Sequence, residues 1–530
     1  MYGNQLRWLP FSDFASRGVV PASGRRERLV PEQRAACRET IAESVFDVAV
    51  LGGGINGASV YAELCRRGYR VLLLDRGDFA GGSSQSTAMW IWGGLLYLSA
   101  LDFPTVVNLC ANRDRLIKEL PGWVRPEPNR YVATRSRSKK TWLINPALWL
   151  YWGLSAFRRR APLRQSDFPE RHLFRDGHVV GTSLYEEGSV FPSDTRFVVR
   201  WILPWCSPER PALNYCEVVG GCRDNAKGFW RLELRDRVSG KEMVARARWV
   251  VNAAGVWTDQ LNTRFGIETA WRHVYGKGVF IVLPRDPSHE TPLSIENRLD
   301  DFFSLIPWGP VALWGPTDTV SRDPESGFFA DAGDIRTLLD ELNRHTVRKS
   351  GPEDIIALRC GVRPLAVKRS YNSNGNTLSI SRRHIIARDP HRTWISLYGG
   401  KLTSCMSLAT EVGDMLEPVI APRYPDPALL RREPSQDATE WFPGLEQPVL
   451  SVNSAVEAEC CCTLEDYLRR RTNIAQWVPR HGLGRTGEHI RLLAGMAEHF
   501  PGVDGVRGAA SLAAYQSRIE REFDQVLREV

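Results

Sequence analysis

No CxxC pair occurs in the 530 residues, and the 11 cysteines form an odd set whose densest cluster is Cys460-Cys461-Cys462. Adjacent cysteines make a poor disulfide framework, because a bridge needs converging Cβ vectors on well-separated Cα atoms. A reducing cytoplasm, with thiols serving as small buried apolar groups, is therefore expected. The triplet also lacks the second ligand pair of a zinc site, so no metal site is expected. The opening stretch MYGNQLRWLPFSDFASRG has no apolar core of signal-peptide length, so secretion is not expected. Long hydrophobic runs are missing as well. The most lipophilic, TWLINPALWLYWGLSAF from Thr141 to Phe157, is interrupted by Asn145 and Pro146 and falls short of the ~20 residues of a normal span. Zinc-finger spacing, RNP-like aromatic runs and long basic helices are absent too, so no nucleic-acid partner is expected.

What is present describes a folded, water-facing chain of two or three domains: 43% hydrophobic and 25% charged residues, with a net charge of +8 that favours anions without naming one. The first 45 residues are Arg-rich and form an extension with a short helix near Glu32 to Glu43. FDVAVLG, Phe46 to Gly52, is a continuous apolar run ending in glycines, as expected of a strand buried on both faces of a parallel sheet. A helix from about Asn56 to Arg67 follows, then a second apolar run, Tyr69 to Leu74, ending in Asp75. This is a βαβ opening. Another buried strand runs into the small-residue turn at Trp249 to Gly255, and a strand, a turn at Gly399 and Gly400, and a helix follow near residue 400. After Pro422 a proline-broken linker leads to segments with helical spacing.

GGGINGA sets Gly52, Gly54 and Gly57 in the GxGxxG pattern directly after the first strand. The first glycine permits the tight turn, the second lets backbone approach a pyrophosphate, and the third allows close helix packing. Amide groups at the helix start attract phosphates. Asp75 ends the second strand, where a carboxylate can accept both ribose hydroxyl hydrogens, and an acid there disfavours a ribose phosphate. Dinucleotide binding follows, with NADP the poorest of the adenine cofactors.

The stretches VAVLGGGINGA, GGLLYL, RARWVVNAAGVW, KGVFIVLP, FSLIPWGPVALWGPTD, CGVRPL and YGGKLTS occur in an order that resembles FAD-dependent glycerol-3-phosphate dehydrogenases, from about Phe46 to Leu416. LEDYLRRRTNIAQWV is similar to that family's helical C-terminal domain. The resemblance implies an α/β fold: an FAD-binding Rossmann-like domain (46–135, 190–272 and 355–420), an inserted mixed-sheet substrate domain (136–189 and 273–354) and a helical C-terminal domain (421–530) after the extension 1–45.

It also implies FAD as cofactor and a role in glycerol metabolism. Gly52, Gly54, Asn56, Gly57, Asp75 and Arg76 would serve the adenine, ribose and pyrophosphate, with Ala254 and Gly255 under the adenine half. Ser83 and Ser84 would face the phosphates or the flavin, and Gly93, Gly94 and Leu95 the isoalloxazine. Gly400, Lys401, Leu402 and Thr403 would meet the flavin edge at a helix start, where the helix dipole and Lys401 can stabilise an electron-rich ring. Arg363 and Arg382 match phosphate-holding arginines, whose guanidinium forks suit oxyanions, and Tyr97 keeps a substrate-side identity.

The departures are specific. Met89, Trp92 and Leu96 stand where the family has lysine, histidine and arginine, and Phe280 replaces a histidine after Lys277 and Gly278. A less charged, more apolar or aromatic substrate than glycerol 3-phosphate is the expectation, because losing an arginine from a phosphate costs a charge-assisted hydrogen bond. With the family histidines gone, His384 is the substitute expected as catalytic base. The partners expected are a small-molecule substrate oxidised at a C–OH or C–NH group and an electron acceptor, quinone or oxygen. Two alternatives stay open: an amine or amino-acid oxidase in which Arg363 or Arg382 grips a carboxylate, and a catalytically silent FAD-binding protein. The aromatic stretch Trp142 to Phe157 followed by Arg158-Arg159-Arg160 has the composition of a membrane interface, but Pro146 and its short length favour a core helix of the substrate domain with a solvated charged end; the expected location is cytoplasmic, with peripheral contact at the inner face of the membrane as the alternative.

Overall fold

A computed structural model describes residues 29–135, 138–296, 302–321, 323–324, 328–371, 380, 383–424 and 438–530. Val45–Leu51 forms the centre of the first sheet, parallel to Val71–Leu74 on one side and to Lys241–Asn252 on the other, with Trp394–Tyr398 parallel beyond. The run is apolar at every position but one because both faces are covered. Val48 and Val50 face the helices Ile55–Arg66 and Cys405–Leu416, packing with Val60, Leu64, Leu408 and Val412. Phe46, Ala49 and Leu51 face Trp230, Leu232, Leu234 and Trp394. Each fully buried side chain of this size contributes about 1.5–3 kcal/mol, so the alternation expected of a half-exposed strand is absent.

The N-terminal helix, Leu29–Glu43, is more than an extension. Cys37 and Ile41 belong to the core beneath the first sheet, and Arg34 Nη2 donates to Asp236 Oδ1 at 2.7 Å with the carboxylate fully buried.

The second sheet is built on a long antiparallel pair, Trp271–Pro284 against Ala357–Lys368, in register from Trp271 opposite Lys368 to Val282 opposite Ala357. Phe302–Trp308 and Val311–Gly315 form a hairpin in it, and Val124–Thr134 pairs with Val179–Val190. The strands do not divide at the boundaries read from the sequence. Trp90–Ile91, Val124–Thr134 and Ala357–Lys368 fall within segments assigned to the FAD-binding unit, yet all three are strands of the second sheet.

The C-terminal segment shares one core with the outer part of that sheet: Leu464, Tyr467, Leu468, Phe500 and Leu512 pack in the same cluster as Trp314, Leu338 and Ile281. Residues 466–471 form a π-helical turn, which rotates consecutive arginines inward. Cys461 and Cys462 are buried, and among the described residues every cysteine is a free thiol. The aromatic stretch forms the helix Ser138–Leu154. Its Tyr151 points into the protein, whereas Trp149 and, after the helix, Phe157 are exposed. Among the described residues no helix is long and apolar enough to cross a membrane.

Candidate active site

The glycine bend closes as its spacing requires. Gly52 has φ +110°, and a Cβ on Gly57 would lie 1.8 Å from the carbonyl oxygen of Gly52, so the helix can sit this close to the strand end only without a side chain there. At the helix start, Ser84 Oγ accepts the N–H of Ile55 at 3.0 Å. Asn56 Nδ2 donates to the carbonyl of Gly399 at 2.9 Å, while its buried Oδ1 has no partner.

Asp75 lies beside the bend, its Oδ2 accepting the N–H of Gly53 at 2.6 Å and its Oδ1 that of Gly77 at 2.8 Å. Burial outweighs both hydrogen bonds and pushes the carboxyl up to about 6. The Arg76 guanidinium stands 4.4 Å over the Trp257 ring, which stacks on Phe328. Ala254 and Gly255 lie at the end of the third parallel strand, with Gly255 at φ +57°.

These groups line one cavity of about 870 Å³, near the upper end of the range for ligand sites. Its residues fit FAD. A side-chain-free bend, the helix start behind it, an orphaned Asn56 oxygen and the half-buried Asp75 carboxylate offer what a pyrophosphate and a ribose need.

Another part of the wall comes from residues around Lys401. Gly399 and Gly400 have φ +66° and +98°, and a Cβ on Gly400 would meet the Asn56 amide at 2.8 Å. Lys401 Nζ donates to the Tyr97 hydroxyl at 2.6 Å and stands 4.5 Å above that ring. Thr403 Oγ1 accepts the N–H of Trp92 at 2.9 Å and so pins the chain just after the strand Trp90–Ile91 to the helix start. Leu402 is buried beneath. Ser83 Oγ donates to the carbonyl of Val362, tying the turn at Ser83 and Ser84 to the second sheet. Arg363 lines the cavity with Nη1 on Asp318 at 2.9 Å.

Several expected residues stand elsewhere. His384 does not line the cavity. Its Nε2 lies 3.1 Å from Glu411, on the helix that follows Lys401, so it is engaged by a carboxylate outside that cavity. Gly93, Gly94 and Leu95 are not wall residues either. The N–H of Gly93 donates to the fully buried Glu187 at 3.0 Å, and a Cβ there would be 2.1 Å from the Tyr151 hydroxyl, so its role is close packing. Tyr97 does not line the cavity but touches two residues that do, Lys401 through its hydroxyl and Trp92 through its ring at 6.0 Å. Arg382 lies outside the described residues.

Other groups went unread. Glu187 also accepts from Tyr151 at 2.6 Å and from Arg113 Nη1 at 3.0 Å, a buried network drawn from three distant segments. Arg359 Nη2 donates to Asp194 at 2.7 Å and to the carbonyl of Thr87 at 3.0 Å, fixing the chain just before Trp90. Phe328 and Pro316 extend the apolar lining to which Phe280 belongs, and Arg469 and Arg518 enter from the C-terminal helices. Nothing in the local spacing of these residues marks them.

Residues 47–409 match the family model "DAO: FAD dependent oxidoreductase". The chain belongs to this family and is an FAD-dependent oxidoreductase. Among curated proteins it is 29% identical over 371 residues to D-erythritol 1-phosphate dehydrogenase of Brucella abortus (strain 2308), covering 68% of this chain and 72% of that protein. It is 28% identical over 383 residues to the aerobic glycerol-3-phosphate dehydrogenase of Escherichia coli (strain K12), covering 70% and 73%. The fold is similar to that of glycerol-3-phosphate dehydrogenase from Bacillus halodurans complexed with FAD, with a TM-score of 0.68 at 18% identity over 94% of this chain and 99% of that one.

Proposed function

We propose that the protein is a dehydrogenase of the glycerol-3-phosphate dehydrogenase type that oxidises a small alcohol bearing a phosphate or similar anionic group. The observation that carries this reading is that two cations, Lys401 and Arg363, line the same cavity as the apolar side chains of Trp90, Trp92, Phe280 and Pro316. The relatives that act on erythritol 1-phosphate and glycerol 3-phosphate by name support the anionic alcohol.

FAD, when bound, supplies a ring that accepts a hydride from the substrate carbon. The chain's own residues do the rest. Gly52, Gly54 and Gly57 with the amide of Asn56 would hold the pyrophosphate, and Asp75 with Arg76 would hold the ribose. Arg363 exchanges part of its pairing with Asp318 for the substrate oxyanion. Lys401 fixes the Tyr97 hydroxyl and presents positive charge beside the reacting alcohol oxygen. The aromatic side chains exclude water and favour a substrate with more apolar surface than glycerol 3-phosphate. Electrons leave to a quinone or to oxygen. Exposed Trp149 and Phe157 support a peripheral membrane contact at which a quinone would be met.

The test is an anaerobic screen of flavin absorbance against glycerol 3-phosphate, erythritol phosphates, larger aryl or alkyl polyol phosphates, hydroxy acids and amino acids. Bleaching by a phosphorylated alcohol is expected. Bleaching by an amino acid and by no phosphorylated alcohol would refute the reading. Peroxide release in air distinguishes oxygen from quinone as acceptor.

A further inference from the structure

The cavity does not end at the cofactor cradle. It runs on between the turn Gln85–Ser86–Thr87 and the C-terminal helices, where Glu465, Arg469, Arg470, His481, Arg518 and Glu522 line it. Most of the charges here are matched. Arg470 is held by Asp78 at 2.7 Å and Asp466 at 2.6 Å, and Arg518 by Glu465 at 2.9 Å. Asp194, the acid whose charge Arg469 feels, is occupied by Arg359 at 2.7 Å. Glu522 stands 4.0 Å from Arg518, and burial raises its carboxyl. His481 is kept neutral by burial and by Arg469 and Arg518, its imidazole pushed down to about 3.

Arg469 is the exception. Its Nη2 donates to the carbonyl of Gln85 at 3.1 Å and to Ser86 Oγ at 3.4 Å, both neutral. Its Nε and Nη1 have no protein partner among the described residues, and no carboxylate pairs with it there. Burial and the like charges of Arg359, Arg470 and Arg518 pull its guanidinium down to about 9, so the protein alone disfavours the charge it carries. Arg518 adds a buried Nε with no partner beside it. A structural arginine is expected to have an acid across from it, and one that holds a ligand is expected to have the ligand there.

We propose that Arg469 anchors an oxyanion site by which the C-terminal helices reach into the cofactor cavity, and that the site takes a phosphate or carboxylate group. Two sources carry that chemistry: the pyrophosphate of the bound dinucleotide, and a free anion such as inorganic phosphate or an anionic metabolite. The proposal is independent of the substrate reading above, since it concerns binding alone.

The full-length protein is compared with Arg469→Gln, which keeps amide donors but removes the charge, and with Arg469→Lys, which keeps the charge but loses the fork. Arg491→Gln, at an exposed position, controls for net charge. Flavin fluorescence quenching gives the FAD dissociation constant of the stripped protein, and melting of the FAD-loaded protein is followed against inorganic phosphate. If the dinucleotide is the source, Arg469→Gln raises the FAD dissociation constant by about 10- to 100-fold and Arg469→Lys by less. If a free anion is the source, FAD binding stays unchanged while the phosphate-dependent rise in Tm is lost in Arg469→Gln and weakened in Arg469→Lys. In either case FAD-free Arg469→Gln melts no lower than the parent, because a half-buried charge with no carboxylate beside it has been removed. FAD binding and a phosphate response both equal to the parent's would overturn the proposal, as would a lower melting temperature of FAD-free Arg469→Gln with both responses intact.

Discussion

The Asp75 carboxylate accepts the backbone N–H of Gly53 at 2.6 Å, so the residue expected to hold the cofactor ribose also fastens the glycine bend. Its folded pKa, about 6, lies above the ordinary 3.8. The folded, FAD-free protein therefore binds a proton here that the unfolded chain has released. The stabilisation this provides is full below about 3.8 and disappears as pH rises through about 6. FAD reverses the preference, because ribose hydroxyls donate to the ionised form. FAD affinity is expected to fall as pH drops through 6, and Asp75→Asn to flatten that dependence while weakening binding at pH 7.5. Fluorescence titration from pH 5 to 8 measures both.

Gly57→Ala places a methyl group 1.8 Å from the Gly52 carbonyl, and backbone sits on both sides of that contact. The strand and helix must separate, at about 3 kcal/mol or more. A colourless protein with a clearly lower melting temperature is expected. A yellow protein with unchanged Tm would show that the bend is looser than its geometry.

Lys401→Met and Arg363→Met each remove one cation from the substrate side. Both are expected to retain FAD and to lower kcat/KM for an anionic alcohol by about 10- to 100-fold, the worth of a charge-assisted hydrogen bond. Arg363→Met should act mainly through KM and Lys401→Met mainly through kcat. Steady-state kinetics with an artificial electron acceptor separates the two.

Glu187→Ala leaves Arg113, fully buried, with Asp114 at 3.0 Å as its remaining carboxylate. Breaking a buried pair by removing one member costs about 3–5 kcal/mol. The N–H of Gly93 also loses its acceptor, next to Trp92 on the cavity wall. Denaturant unfolding should show the full loss, and Glu187→Gln, which keeps an acceptor, a smaller one.

Much of the cofactor half was legible in the chain because its determinants are local. Gly52, Gly54, Gly57 and Asp75 act within a single strand, helix, strand unit, and spacing alone places them. The turn at Gly399 and Gly400 was readable for the same reason. The substrate half was not. Lys401 meets Tyr97 across 304 positions, and Arg113, Tyr151 and Glu187 converge from two helices and a strand. His384 looked suitable by proximity to Arg382, but the strand Ile385–Asp389 that follows it sits at the sheet edge and leaves the imidazole beside Glu411. The Arg-rich run at 469–471 stood out only as part of a segment with helical spacing. The π-helical turn rolls it inward, and no three- or four-residue periodicity announces such a turn.

Asp78 lies fully buried three residues past Asp75, and its carboxylate is gripped by Arg470 at 2.7 Å and Arg471 at 2.8 Å. Cutting the chain before its last hundred residues would strand that negative charge in a dry interior and strip the cover from the outer sheet. The catalytic half is thus not a detachable unit. A shortened version should emerge insoluble, and grafting the tail of a distant cousin should succeed only if both arginines travel with it.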